Sequence, residues 1–215
     1  MLSFLKRLSA HERSSEAMVG LLVSMGARGA IRITSHEPVD PVALVLVSLA
    51  AALTWAILDG VFALLAAKGE RLRWAHLTDD RRDPEERGHE WADEALSHSF
   101  LRNLEEPALR RIHAQTLQEA ANARPVDARL TANDWLTGLA VFVIVGLAAI
   151  PPVLPLLLVP DIDVAVWTSY GIALLLLFAL GAHWGPAHGL SRLRSGLAIL
   201  GLGTAMVAVV LLLGG

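Results

Sequence analysis

The sequence predicts an all-α membrane protein with five transmembrane helices and a cytosolic helical insert between the second and third spans. Composition is the first reason: the 215 residues are 54% hydrophobic and only 18% charged, whereas soluble domains average about 25% charged residues. The second is residues 42–67, a 26-residue apolar run. At 1.5 Å of rise per residue, a helix of that length crosses a hydrocarbon core of about 30 Å.

Apolar runs and charge divide the chain into four parts. Residues 1–16 are a polar N-terminal segment, 17–67 contain spans one (17–33) and two (42–67), 68–134 form the insert, and 135–215 contain the last three spans (136–159, 164–182, 195–213). The insert has 11 Lys or Arg and 14 Asp or Glu, so we expect an acidic, water-exposed unit. Three prolines at 151, 152 and 155 should kink or break the third span.

Basic residues predict the orientation, because cytoplasmic loops retain Lys and Arg. Lys68, Arg71 and Arg73 begin the insert, whereas the loop 160–163 has no basic residue. We therefore expect the N-terminus and the insert in the cytosol and the C-terminus outside, in a membrane that is most simply a bacterial inner membrane.

Two charges inside the apolar runs need a physical explanation. An ionised Asp59 or Arg28 within the bilayer costs about 2.5 kcal/mol or more unless it is paired or hydrated. Counted from the inner ends of residues 17–33 and 42–67, the two differ in depth by about 5 Å. The sequence allows an Arg28 to Asp59 pair, with two interpretations: a structural contact, or part of a transport path.

The insert contains a candidate metal site. Asp83-Pro84-Glu85-Glu86 is typical of a helix start. In that helix, Glu86, His89 and Asp93 lie at helical spacing on one face, and Glu90 and Glu94 flank that face. A second helix over 107–123 offers one more acid, Glu119. The candidate ligands are Glu86, His89, Glu90, Asp93, Glu94 and Glu119. Such oxygen-rich sites with an imidazole suit Fe(II), Mn(II) or Zn(II); the alternative is a solvated acidic helix face.

Several classes of function are disfavoured. The chain has no cysteine, which excludes thiolate sites, and its net charge of -3 argues against a nucleic-acid partner. No nucleophile and base arrangement or phosphate-binding glycine loop is present, so we expect neither an enzyme nor a permanently bound cofactor.

The order of parts and several segments resemble the vacuolar iron transporter family. Ala56-Ile57-Leu58-Asp59-Gly60, continuing to Lys68-Gly69-Glu70, is similar to the family's second span entering the cytosol. The proline-containing stretch 147–158 is similar to its third span, 177–182 to the end of its fourth, and 194–214 to its fifth.

This resemblance implies a homodimer of five-helix subunits in a lipid bilayer that exports Fe(II) or Mn(II) in exchange for protons, with glutamates of the insert collecting the metal. The sequence departs from the family where Arg28 replaces an acid of the first span, Asp59 replaces a Met, and Ala51 replaces a Glu. A fixed positive charge repels cations, so the alternative is a non-transporting membrane scaffold that keeps the family fold.

Overall fold

The computed structural model describes residues 8–34, 40–77, 126–213 and a few positions between 105 and 115, and in these parts the chain is helical with short connections. The helices are α1 (Ala10–Thr34), α2 (Pro41–Leu77), α3 (Ala132–Ala148), α4 (Ile150–Leu158), α5 (Ile162–Trp184) and α6 (Arg192–Leu212). A 3-10 helix, Gly185–His188, follows α5. Counting α3 and α4 as one span, five helices are long and apolar enough to cross a membrane.

The chain divides into two compact units. The first, here called the membrane unit, comprises residues 1–63 and 133–215, and the second comprises residues 64–132. In the second unit, Lys68 Nζ donates to the Ala128 carbonyl at 2.6 Å and Arg71 Nη2 donates to Thr131 Oγ1 at 3.1 Å. These bonds hold the last turns of α2 beside the segment that leads into α3.

Helix α1 begins seven residues before the predicted first span. Ser9 Oγ accepts the Glu12 backbone N–H at 3.3 Å, and the Glu12 carboxylate accepts the Ser9 backbone N–H at 2.7 Å. This reciprocal pair is a capping box, which satisfies backbone donors that a helix start leaves free. The helix therefore starts before the apolar run 17–33, because the capping residues set its first turn.

The third span is broken where its prolines predict. Helix α3 ends at Ala148 and α4 starts at Ile150, with Pro151 and Pro152 in the first turn of α4. The Pro152 carbonyl, in the first turn of α4, accepts a buried hydrogen bond from Ser169 Oγ on α5. This bond ties the broken span to the neighbouring helix.

Glycines bring α5 and α6 together. A Cβ added at Gly181 would lie 2.8 Å from Ile199, and one at Gly196 would lie 2.8 Å from the Phe178 ring. Helix packing in membranes depends on such small residues, because lipid gives no hydrophobic drive for association. Gly181 and Gly196 therefore let α5 and α6 approach closely.

The outer surface of the membrane unit is apolar. Large side chains project outward from several of the span helices, including Leu158 at 75%, Leu175 at 70% and Leu212 at 86% exposed. So much exposed apolar surface would be unfavourable in water and is stable in lipid. Together with the five apolar helices, it identifies an integral membrane protein.

Candidate functional site in the membrane unit

Asp59 lies on α2, half-buried, in the middle of the longest apolar run. Its Oδ2 is buried and has no hydrogen-bond partner. The Trp55 indole, one helical turn earlier, lies within hydrogen-bonding reach of the same carboxylate. One oxygen of Asp59 is therefore left for another ligand.

Glu16 on α1 is an acid that the predicted site did not include. It is half-buried, and the negative charge of Asp59 acts on it, with a smaller contribution from Glu12 one turn earlier on α1. Glu16 and Asp59 are therefore two half-buried acids of the membrane unit that lie within electrostatic range of each other.

Close helix contacts fix both acids in place. Gly20, one turn after Glu16, packs against the Val145 carbonyl of α3 so closely that a Cβ would overlap it. Gly60, next to Asp59, lies against α3 as well, where a Cβ would be 3.1 Å from the Gly138 carbonyl oxygen. Both acid-bearing segments therefore pack on the backbone of the same helix, which limits their movement relative to each other.

Arg28 occupies a separate, fully buried position with 0% exposure. Its Nη1 donates to Ser24 Oγ at 2.8 Å, and its guanidinium carbon lies 5.6 Å from the centre of the Tyr170 ring. Its Nε and Nη2, and the Tyr170 hydroxyl, have no hydrogen-bond partner. A cation–π contact and one neutral hydrogen bond are weak compensation for burying this charge.

The structure does not form the Arg28 to Asp59 pair that the sequence allowed. Glu16 faces Asp59, and Arg28 lies 12 residues further along α1, about 18 Å away at 1.5 Å per residue. The depth comparison was wrong because it was counted from the inner ends of the helices, and α2 has 37 residues whereas α1 has 25. Counted from the ends that the short connection joins, Arg28 lies 6 residues before the end of α1 and Asp59 lies 18 residues after the start of α2.

The other basic residue near the end of α1 has an acidic partner. Arg32 Nη2 lies 3.5 Å from Asp163 Oδ1, in the first turn of α5. The two acids of α1, Glu12 and Glu16, thus lie in its first half, and Arg28 and Arg32 lie in its second half.

All the predicted ligands of the insert lie outside the described residues: Glu86, His89, Glu90, Asp93, Glu94 and Glu119. In the parts of the chain that the structure does describe, no group of three or more His, Asp or Glu side chains is arranged to hold a metal. The metal site of the insert therefore stays a prediction.

The sequence contains a signal that places Glu16 inside the first helix. The pattern Ser9-Ala10-His11-Glu12 is a capping box, and it places Glu16 in the second turn of α1 instead of in a polar tail. With that start, Glu16 lies 18 residues before the end of α1, and Asp59 lies 18 residues after the start of α2. In two antiparallel helices joined by a short connection, equal spacing means equal depth.

Comparison with known proteins gives the chain its family. The model of the VIT family matches residues 81–215, well over half of the chain, including α3 to α6. The match does not extend over α1 and α2, where Glu16, Arg28 and Asp59 lie. No curated protein matches the sequence. The match over the closing helices, together with five membrane-spanning helices, shows that the chain belongs to the VIT family of vacuolar iron transporters.

Proposed function

We propose that this protein transports divalent metal cations, Fe(II) or Mn(II), out of the cytosol in exchange for protons. The observations that support this most directly are the buried, unpartnered Oδ2 of Asp59 and the half-buried Glu16 within electrostatic range of it, both inside the membrane unit. Membership of a transporter family gives the class, and the acid pair gives a place where a cation can be held.

The chemistry of the pair suits such a cargo. Two ionised carboxylates side by side in a low-dielectric region repel each other, and a shared cation or proton removes that repulsion. Hard divalent cations such as Mn(II) prefer oxygen ligands. A site that a metal or protons can neutralise links the movement of one to the other, which is the requirement of an exchanger.

The test is metal uptake by proteoliposomes containing the purified protein, under an imposed pH gradient. Glu16→Gln and Asp59→Asn keep the size of each side chain and remove its charge, so each should lower Mn(II) uptake about tenfold or more, a loss of about 1.4 kcal/mol in metal stabilisation. The matched control is Asp163→Asn, which removes an acid of the same unit that is 72% exposed; its uptake should equal that of wild type. Equal uptake by all four proteins would contradict the proposal.

The proposed arrangement places the N-terminus and the insert in the cytosol, the C-terminus outside, and two subunits together in a bacterial inner membrane. The chain has no cysteine, so single cysteines introduced in the insert and beside Asp161 can be labelled without background. An impermeant thiol reagent added to intact cells should label the Asp161 position and leave the insert unlabelled. The opposite labelling pattern would place the insert outside the cytosol, and the proposed direction of transport would then be reversed.

A second candidate function rests on Arg28. A fully buried guanidinium without an acidic partner among the described residues opposes the passage of cations along α1. In this case the protein is a membrane scaffold that does not transport, and the insert binds metal or a partner. Wild type and all the acid variants would then show only the background uptake of empty liposomes.

A further inference from the structure

Two imidazoles meet at one end of the membrane unit, where α1 begins and α5 ends. His11 lies in the first turn of α1, and His188 is the last residue of the 3-10 helix that follows α5. Their ring centres are 5.4 Å apart, with the ring planes at 85°. His188 is exposed and His11 is partly exposed, so an ion from solution can reach both rings.

The distance between the ring centres is compatible with a shared metal ion. Zn(II) and similar ions bind an imidazole nitrogen at about 2.0–2.1 Å, which places the metal about 3.2 Å from each ring centre. At a tetrahedral angle, two such rings have centres about 5 Å apart. The observed separation of 5.4 Å agrees with this value.

His188 is held through one nitrogen, as metal-binding histidines are. His188 Nδ1 lies 3.2 Å from the Trp184 carbonyl oxygen, and because a carbonyl only accepts hydrogen bonds, Nδ1 carries the proton. The lone pair of the neutral ring is then on Nε2. Such a bond from the second nitrogen to a backbone carbonyl fixes the tautomer and orientation of metal ligands.

His11 is held by the cap of α1. Ser9 Oγ lies 2.9 Å from His11 Nδ1 and 3.3 Å from its Nε2, and the same hydroxyl donates to the Glu12 carboxylate at 2.7 Å. An oxygen this close to both ring nitrogens lies above the ring plane, so it positions the ring without occupying the in-plane lone pair of either nitrogen. The in-plane side of the His11 ring therefore stays available to a metal.

We propose that His11 and His188 form a two-imidazole site for a borderline divalent transition metal, such as Zn(II), Co(II) or Ni(II), with water completing the coordination. Imidazole ligands favour these ions over Mg(II) and Ca(II). The site is separate from the Glu16 and Asp59 pair and does not depend on the proposed transport. It is also separate from the predicted acids of the insert.

Trp184 provides a direct optical signal for this site. Its indole stacks on the His188 ring, with centres 3.8 Å apart and planes at 21°. Ni(II) bound to His188 would quench the fluorescence of this tryptophan, which is one of six in the chain.

The experiment is a Ni(II) titration of the full-length protein in detergent, followed by calorimetry and by tryptophan fluorescence. His11→Gln and His188→Gln should each weaken one equivalent of binding by about tenfold or more, and both should lose the saturable quenching. The control is His183→Gln, an exposed histidine of α5, which should behave as wild type. Any Ni(II) that the insert binds is the same in every variant, so it does not contribute to the difference between variants.

Trp184→Phe separates binding from folding, because it keeps both imidazoles. It should retain the calorimetric equivalent and lose the saturable quenching. The proposal is overturned if His11→Gln and His188→Gln bind Ni(II) as wild type does. It is also overturned if only one of them weakens binding, since a site shared by two rings requires both.

Discussion

The two ends of α1 differ in both chemistry and packing. Its first two turns are polar and for the most part at least partly accessible, with Glu16 in electrostatic range of Asp59 and His11 beside His188. From Gly20 onward it is packed tightly, with Gly20 against Val145, Gly29 against Val210 and Arg28 fully buried. The comparison teaches that one helix serves as a candidate ion site at one end and as a structural contact at the other.

The largest change in stability is expected at Arg28. Replacing this residue with Met removes a buried charge with two unsatisfied donors and keeps an unbranched side chain. Such replacements are commonly stabilising by about 1–4 kcal/mol. Arg28→Met should therefore raise the thermal midpoint in detergent, measured by the fraction that survives heating in size-exclusion chromatography.

Arg28→Lys is the control, since it keeps the charge and should not raise the midpoint. A lower midpoint for Arg28→Met would mean that the guanidinium contributes stability, and the packed end of α1 would then need an anionic partner.

The next largest effect is expected at Gly29. An added Cβ would overlap the branched side chain of Val210, whereas at Gly26 it would meet only the terminal methyl of Met206, at 2.7 Å. Overpacking costs about 1–3 kcal/mol. A stiff β-branched side chain such as Val210 can move away less easily than the flexible side chain of Met206. Gly29→Ala should therefore lower the midpoint more than Gly26→Ala, in the same heating assay. Equal midpoints would show that α6 moves away without cost.

The smallest of the three effects is expected at the open end. Ser9→Ala removes the capping box of α1, and loss of an N-cap costs about 1 kcal/mol. The first turn should then exchange its amide hydrogens faster, as measured by mass spectrometry, while peptides from residues 24–34 exchange as before. Faster exchange along all of α1 would show that its two ends are not independent.

Much of the fold follows from the sequence, because hydrophobicity and proline act locally. The run 42–67 lies within α2, the prolines after Ala149 divide the third span, and Gly181 and Gly196 pack α5 on α6. These features depend on residue type at a given position and need no knowledge of the partner helix.

The candidate site was harder to predict, because it depends on where helices begin and end. Counting from the inner ends placed Arg28 at the depth of Asp59, because α2 is longer than α1, and the predicted start of the span at residue 17 left Glu16 in the polar N-terminal segment. The pairing of His11 with His188 depends on contacts between the two ends of the chain, about which local sequence patterns give no information. The metal ligands proposed for the insert lie outside the described residues and stay predictions.

The interruption at Ala149 has a mechanical consequence. Helix α3 is joined to the acid-bearing parts of α1 and α2 through Gly20 and Gly60, while α4 packs mainly on α5 and is tied to it by Ser169. The third span therefore belongs to both neighbourhoods and has its hinge between them. If the helices that carry Glu16 and Asp59 tilt relative to the closing helices, the third span must bend at Ala149. A substitution that makes the backbone at Ala149 more rigid should therefore hold the two acids in one position.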